Sequence, residues 1–187
     1  MKNIVKFIGG WLYLIAYQAR NWRAHVRALF SGNKRVVGTV TYKGVLTATK
    51  ISKDGSKQEI GVLGTRVVTN AAVTFMRDDF NDGASDINTF NYHDSGTGTV
   101  AENVTDTALG TAAGPARVAG TKSVPATNQY RSVATIAYTA TLAITEHGLF
   151  SASTAGTLWD RSVFAAVNVV SGESIQFTYT LTLTAGG

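Results

Sequence analysis

The chain has 187 residues, with 17 Lys and Arg, 12 Asp and Glu, 19 Gly, 2 Pro and no Cys, for a net charge of +5. That length suits one ordinary domain plus an arm, and the absence of cysteine excludes disulfides, thiolate metal sites and a thiol nucleophile. Residues 1–66 hold twelve basic and two acidic side chains, net +10, whereas 67–187 hold five and ten, net −5, so the N-terminal third is suited to an anionic or electronegative partner and the rest to a self-sufficient body.

Residues 1–35 predict a hydrophobic, basic helical arm. The apolar run Phe7–Tyr17 spans eleven residues, the length of a secretory h-region and too short to cross a bilayer as a helix. Trp22, Val26 and Leu29 then recur at helical spacing among Arg20, Arg23 and Arg27, the pattern of an amphipathic basic helix. Three placements fit the arm: packed on its own domain, docked on another subunit, or laid in a membrane interface. The second is preferred, with Trp11, Leu12, Leu14, Ile15, Trp22, Val26 and Leu29 as the apolar contact and Arg20, Arg23, Arg27, Lys34 and Arg35 as the charges that steer it. Nucleic acid is disfavoured as a partner, because no helix-turn-helix, zinc-finger or RNA-recognition pattern accompanies the basic residues.

The remainder, 36–187, predicts an antiparallel β-sandwich or jelly-roll-like domain. Residues 36–68 alternate β-branched and polar side chains on both sides of Asp54-Gly55, which predicts a hairpin with a two-residue turn, trimmed by Lys43, Lys50, Lys53 and Lys57. A short helix is expected over 69–81, capped by Thr69 or Asn70, with Val73, Met76 and Phe80 at helical spacing. Asp78, Asp79, Asp82 and Asp86 lack the order of a calcium loop and read as an acidic helix end. Residues 87–121 predict a strand ending at Tyr92 and then a long Gly/Thr/Ala loop, whose Gly96 and Gly98 form a G-x-G without the remaining residues of a phosphate loop. The main sheets follow: Ile175, Phe177, Tyr179, Leu181 and Leu183 share one parity, as do Ile136, Tyr138, Leu142 and Ile144, and Ser171-Gly172 closes a further strand between them.

Within 144–164, Glu146, His147, Gly148, Asp160 and Arg161 pose the question of chemistry. A nucleophile–base site needs the base to reach a nucleophile and a third group to orient it. Glu146 and His147 are adjacent and point to opposite faces of a strand. His25, His93 and His147 lack the paired spacing of a zinc site. These five residues therefore read as structural, Gly148 as a bend and Asp160-Arg161 as a turn or a cross-strand charge pair, with no catalytic, metal or cofactor site.

The strings FNYHDSGTGT, VTDTALGT, YRSVATI, ITEHGLFSAS, LWDRSVFAAVNV and ESIQFTYTLTL, in that order over about residues 64–185, resemble a family of small virion structural proteins of tailed bacteriophages. The resemblance implies a β-sandwich that assembles on the virion with other virion proteins, as a head decoration (cement) protein or a neck or tail component; the missing catalytic geometry and the apolar arm independently predict a non-enzymatic protein in contact with copies of itself. Two other classes stay open: a membrane-attached binding module, and a glycan hydrolase using Glu146 and Asp160 as a carboxylate pair across a cleft.

Overall fold

A computed structural model describes residues 38–83 and 85–186; the predicted arm, 1–35, lies outside them. Thr41–Thr184 forms one compact unit. The described residues are mainly β: ten strands form two five-stranded sheets, and every register given below is antiparallel. Sheet A has the order β2-β1-β10-β7-β6 and sheet B the order β3-β9-β8-β4-β5.

Sheet A follows from alternation. In β1 (Thr39–Ile51) Gly44, Leu46 and Ala48 are buried, while Val45, Thr47 and Thr49 are half-buried. In β10 (Ser174–Gly186) Ile175, Phe177, Tyr179 and Leu181 are buried, while Thr178, Thr180 and Thr182 are half-buried. One face of each strand joins the core and the other carries threonine toward water. β7 (Gln129–Ala137) sets Ile136 against Ile175, Ala134 against Phe177 and Ser132 against Tyr179, and β6 (Thr121–Ser123) closes that edge. The β1–β2 hairpin (β2, Lys57–Thr65) has a longer turn than the two-residue one expected. Ser52 N–H donates to Ser56 O and Gly55 N–H to Ser52 O, a three-residue loop in which Gly55 takes φ 81°. Glycine supplies the left-handed residue that this turn requires.

Sheet B breaks the alternation. β8 (Leu142–Phe150) is buried at every residue from Ile144 to Phe150, and β9 (Leu158–Val169) from Leu158 to Ser162. Both faces of these strands are covered, the inner by sheet A and the outer by the loop that follows β4 (Tyr92–Gly96). The expected strand ending at Tyr92 instead begins there. Residues Ile87–Thr89 form a single 3-10 turn whose first free N–H, that of Asn88, is capped by Asp86. The run around Ile136–Ile144 is likewise not one strand: β7 belongs to sheet A and β8 to sheet B, so the chain crosses between sheets at residues 138–141.

Between β3 (Val67–Val68) and β4 lies α1 (Asn70–Asp82), capped by Thr69. The Thr69 hydroxyl accepts from Ala72 N–H at 3.1 Å and donates to Leu158 O at 2.6 Å, so the cap also fastens the helix to β9. Of the apolar set expected to face the core only Met76 does. Ala72 and Phe75 complete the packed face, while Val73 and Phe80 are 55% and 88% exposed. Phe75 meets Phe90 edge-on at 4.8 Å, and Phe90 packs on Trp159 at 5.0 Å, which sets the helix rotation. β5 (Val118–Ala119) completes sheet B beside β4.

Candidate functional site

The residues singled out between 144 and 164 lie inside strands and not at a turn. Glu146, His147 and Asp160 are fully buried and Arg161 is 2% exposed. They divide between the two faces of sheet B and belong to two separate polar assemblies.

The inner assembly begins at Arg66, on the link between β2 and β3. Its guanidinium donates to His147 Nδ1 at 2.9 Å, to the carbonyl of His147 at 3.3 Å and to the carbonyl of Asp160 at 3.0 Å. It also pairs by charge with the Asp160 carboxylate, both side chains being fully buried, and lies 5.3 Å from the centre of the Tyr179 ring. The contact with Asp160 is one of opposite charges and not a well-directed hydrogen bond: Arg66 Nε and both Asp160 oxygens lack a hydrogen-bond partner. Burial pushes the Asp160 carboxyl up, against the downward pull of Arg66, and burial followed by the nearby Asp160 charge pushes the Tyr179 phenol well up.

From His147 the chain of polar contacts continues inward. His147 Nε2 lies 3.0 Å from His93 Nδ1, and His93 Nε2 lies 2.8 Å from Ser132 Oγ. All three residues are fully buried. Arginine can only donate, so His147 Nδ1 accepts and its proton sits on Nε2. That proton is donated to His93 Nδ1, which places the His93 proton on Nε2, directed at Ser132 Oγ. Every step of the tautomer assignment follows from the first donor. Desolvation, then the Arg66 charge, lowers His93 to about 3, and the same two causes with His93 beside it hold His147 well below the ordinary histidine range.

This direction matters for chemistry. A general base for Ser132 would need a lone pair on the nitrogen that faces its hydroxyl. His93 presents an N–H there. Access is closed as well: a methyl group added at Gly120 would lie 2.1 Å from Ser132 Oγ and 2.8 Å from His93 Nε2, so backbone is packed directly against the pair. What the arrangement does is join strands, linking the β2–β3 connection to β8, β8 to β4, and β4 to β7 of the opposite sheet.

The outer assembly centres on Glu146. Its Oε1 accepts from Gly98 N–H at 2.9 Å and Thr111 N–H at 2.7 Å, and its Oε2 accepts from Gly110 N–H at 2.9 Å and Arg161 Nε at 2.8 Å. Arg161 continues to Asp106 at 2.9 Å and to the carbonyl of Val100 at 3.0 Å. The Gly/Thr/Ala loop is thus held over the outer face of sheet B by one carboxylate and one guanidinium. A methyl group at Gly98 would come within 2.4 Å of Glu146 Oε1, which explains the glycine. The loop does form an anion cradle from backbone N–H groups, and the anion is the protein's own. Hydrogen bonds from Thr111, Gly110, Arg161 and Gly98 hold Glu146 below the usual carboxylate range in spite of burial, which opposes them.

Glu146 faces the loop while Asp160 faces Arg66 and Tyr179, on opposite sides of the sheet, so the carboxylate pair across a cleft expected for a hydrolase is not formed. Gly148 is opposite Arg161 and Asp94 in mid-strand and is not a bend; Leu109 and Leu158 pack within 3.0 Å of where a methyl group would stand. A third tie is Arg117, which donates to Asp94 at 3.1 Å and lies over the Phe150 ring at 3.4 Å. Arg66 and Ser132 drew no functional attention in the sequence, and His93 only as one of three histidines without zinc-site spacing, because each gains its role from partners at least 39 positions away. Among the described residues no group of acidic and histidine side chains is placed to hold a metal. Comparison with protein-family models, with curated proteins and with solved structures finds no match.

Two predictions follow from these assemblies. His93 and His147 have depressed folded values, so the unfolded chain binds more protons than the native one below the ordinary histidine value of about 6.5. Their contribution is present above that value and is lost as pH falls; between pH 6.5 and 5 the two together should cost about 3 kcal/mol. Urea unfolding at both pH values measures this, and a His93→Gln variant that still folds should show about half the loss. An unchanged midpoint would contradict neutral buried imidazoles.

On the outer face, Glu146→Gln should destabilise the protein by about 1–3 kcal/mol, because Arg161 and the loop N–H groups lose a charged acceptor while Arg161 keeps Asp106. It should also release the loop, read as faster amide exchange at Gly98, Gly110 and Thr111. A shift below about 1 kcal/mol, the range of an exposed pair, would mean that the loop is held by something else.

Proposed function

We propose that the protein is a non-enzymatic structural component of a tailed-bacteriophage virion, in the first instance a capsid decoration protein that stabilises the particle through subunit contacts. The observation that carries this reading is where the residues of the resembling strings lie. His93, Ser95, Gly98, Asp106, Ser132, Glu146, His147, Asp160 and Arg161 are members of the internal ties. The resemblance is therefore carried by residues that build the body and not by a reactive cleft. A small protein that spends its acid, base and hydroxyl groups on joining strands is suited to a mechanical role.

The strand order supports a jelly-roll-like arrangement, since β1 lies beside β10 and β3 beside β9, bringing early and late strands together in both sheets. The outer face of sheet A, with Thr178, Thr180 and Thr182 set against Val133, Arg131 and Gln129, offers a broad surface with few charges for a neighbouring subunit. The arm, 1–35, is the second attachment element in this reading. Among the described residues no helix is long and apolar enough to cross a membrane.

Purified virions should contain the chain at a copy number commensurate with particle symmetry, and cryo-electron microscopy should show its density on the head surface. Density in the neck or tail would correct the placement alone. Recovery with host membranes in place of particles, or turnover of glycans or esters by the purified chain, would overturn the structural reading.

A further inference from the structure

Beside the inner polar assembly, with which it shares Tyr179, the body has a pocket of about 510 Å³ where α1 leans against the open end of the core. Its wall includes Tyr42, Phe90, Trp159 and Leu181, and its rim includes Phe80 and Asp79 of α1. The volume lies in the range of about 300–1,000 Å³ that holds a ligand or a large side chain. Two features of the rim point outward. Phe80 is 88% exposed beside an already apolar opening. Asp79 has no ion-pair partner among the described residues, whereas the neighbouring Asp78 is paired with Arg77.

An occupant that fits is an aromatic side chain flanked by cations. The chain itself carries one: Trp22 stands between Arg20 and Arg23. Residues 1–37 hold seven basic and no acidic side chains, net +7, and residues 38–187 hold ten basic and twelve acidic, net −2, so arm and body attract. An aromatic anchor in an apolar pocket with a charge pair at its edge is the usual composition of an interface hot spot. We propose that the pocket receives Trp22 from the arm of a second copy of this chain, with Arg20 or Arg23 meeting Asp79, so that copies are linked arm to body. The proposal rests on the arm being a docking segment, as read above, and not on the particle, and it names the arm's partner.

Sedimentation velocity of the full chain over a concentration series tests it in solution, independently of any virion. The wild type should self-associate. Trp22→Ala should weaken association by about tenfold or more, and so should Phe80→Asp, an exposed position whose change leaves the core intact. Asp79→Arg should weaken it as well and be restored by combination with Arg20→Asp and Arg23→Asp. Mixing the Trp22→Ala chain, which keeps a pocket, with the Phe80→Asp chain, which keeps an arm, should give mixed assemblies that neither forms alone. A wild type that stays monomeric at every concentration overturns the proposal, as does association indifferent to Trp22. A Trp22→Ala variant that lowers the melting temperature of a chain that is always monomeric overturns it too, by assigning the arm to its own body. Because particle incorporation is measured separately, failure here leaves the virion reading standing or falling on its own test.

Discussion

A guanidinium has five hydrogens to donate and no lone pair to accept with, and the interior of this protein is organised around one of them. Arg66 is fully buried between the sheets, where an unpaired charge would be untenable. Asp160 balances its charge, two carbonyls and an imidazole take its hydrogens, and the imidazole's tautomer is thereby settled. The direction passes through His147 and His93 to Ser132 without a free choice at any step. Five polar residues that would each be costly to bury alone are buried together, and the hydrogen bonds that run through the two histidines set the register of β4, β7 and β8 more narrowly than interchangeable apolar contacts would.

The outer face of sheet B shows the same logic with the sign reversed. There the buried charge at the centre is a carboxylate, and the donors come to it from backbone. Glu146 gathers N–H groups from Gly98, Gly110 and Thr111, and Arg161 ties the same loop through Asp106 and Val100. A loop with so little apolar side-chain mass has small hydrophobic reason to pack. It stays because Glu146 and Arg161 offer its backbone and Asp106 charge-assisted hydrogen bonds that close over them and exclude water. The composition of the loop is a consequence: side chains at Gly98 or Gly110 would crowd the carboxylate or the guanidinium.

The apolar frame was legible from sequence, and the polar interior was not. Alternation in β10 and in β7, the Thr69 cap and the Ser171-Gly172 turn are local signals, and each holds in the structure. Glu146, His147, Asp160 and Arg161 read as trim because a strand with one wet face carries its polar residues on that face. Here sheet B has no wet face over this stretch, as the unbroken burial of Ile144–Phe150 records. That second cover is supplied by residues 97–111, which pair with β8 from 35 to 48 positions away. One signal was available: a glutamate, a histidine, an aspartate and an arginine inside two β-type runs, without strict alternation, indicate buried groups with distant partners. Arg66 gave no such signal, since a lone arginine between two strands is ordinarily solvated.

His93 and His147 are neutral struts with an imposed tautomer and not a poised acid–base pair. Long-range proton–nitrogen correlation spectra of the imidazoles of His93 and His147 at pH 6 test it directly. Both rings should appear as neutral Nε2–H tautomers with slowly exchanging ring protons. A charged ring at that pH, or a His93 proton on Nδ1 that leaves Nε2 free to accept from Ser132, would contradict the account and restore a base beside a hydroxyl.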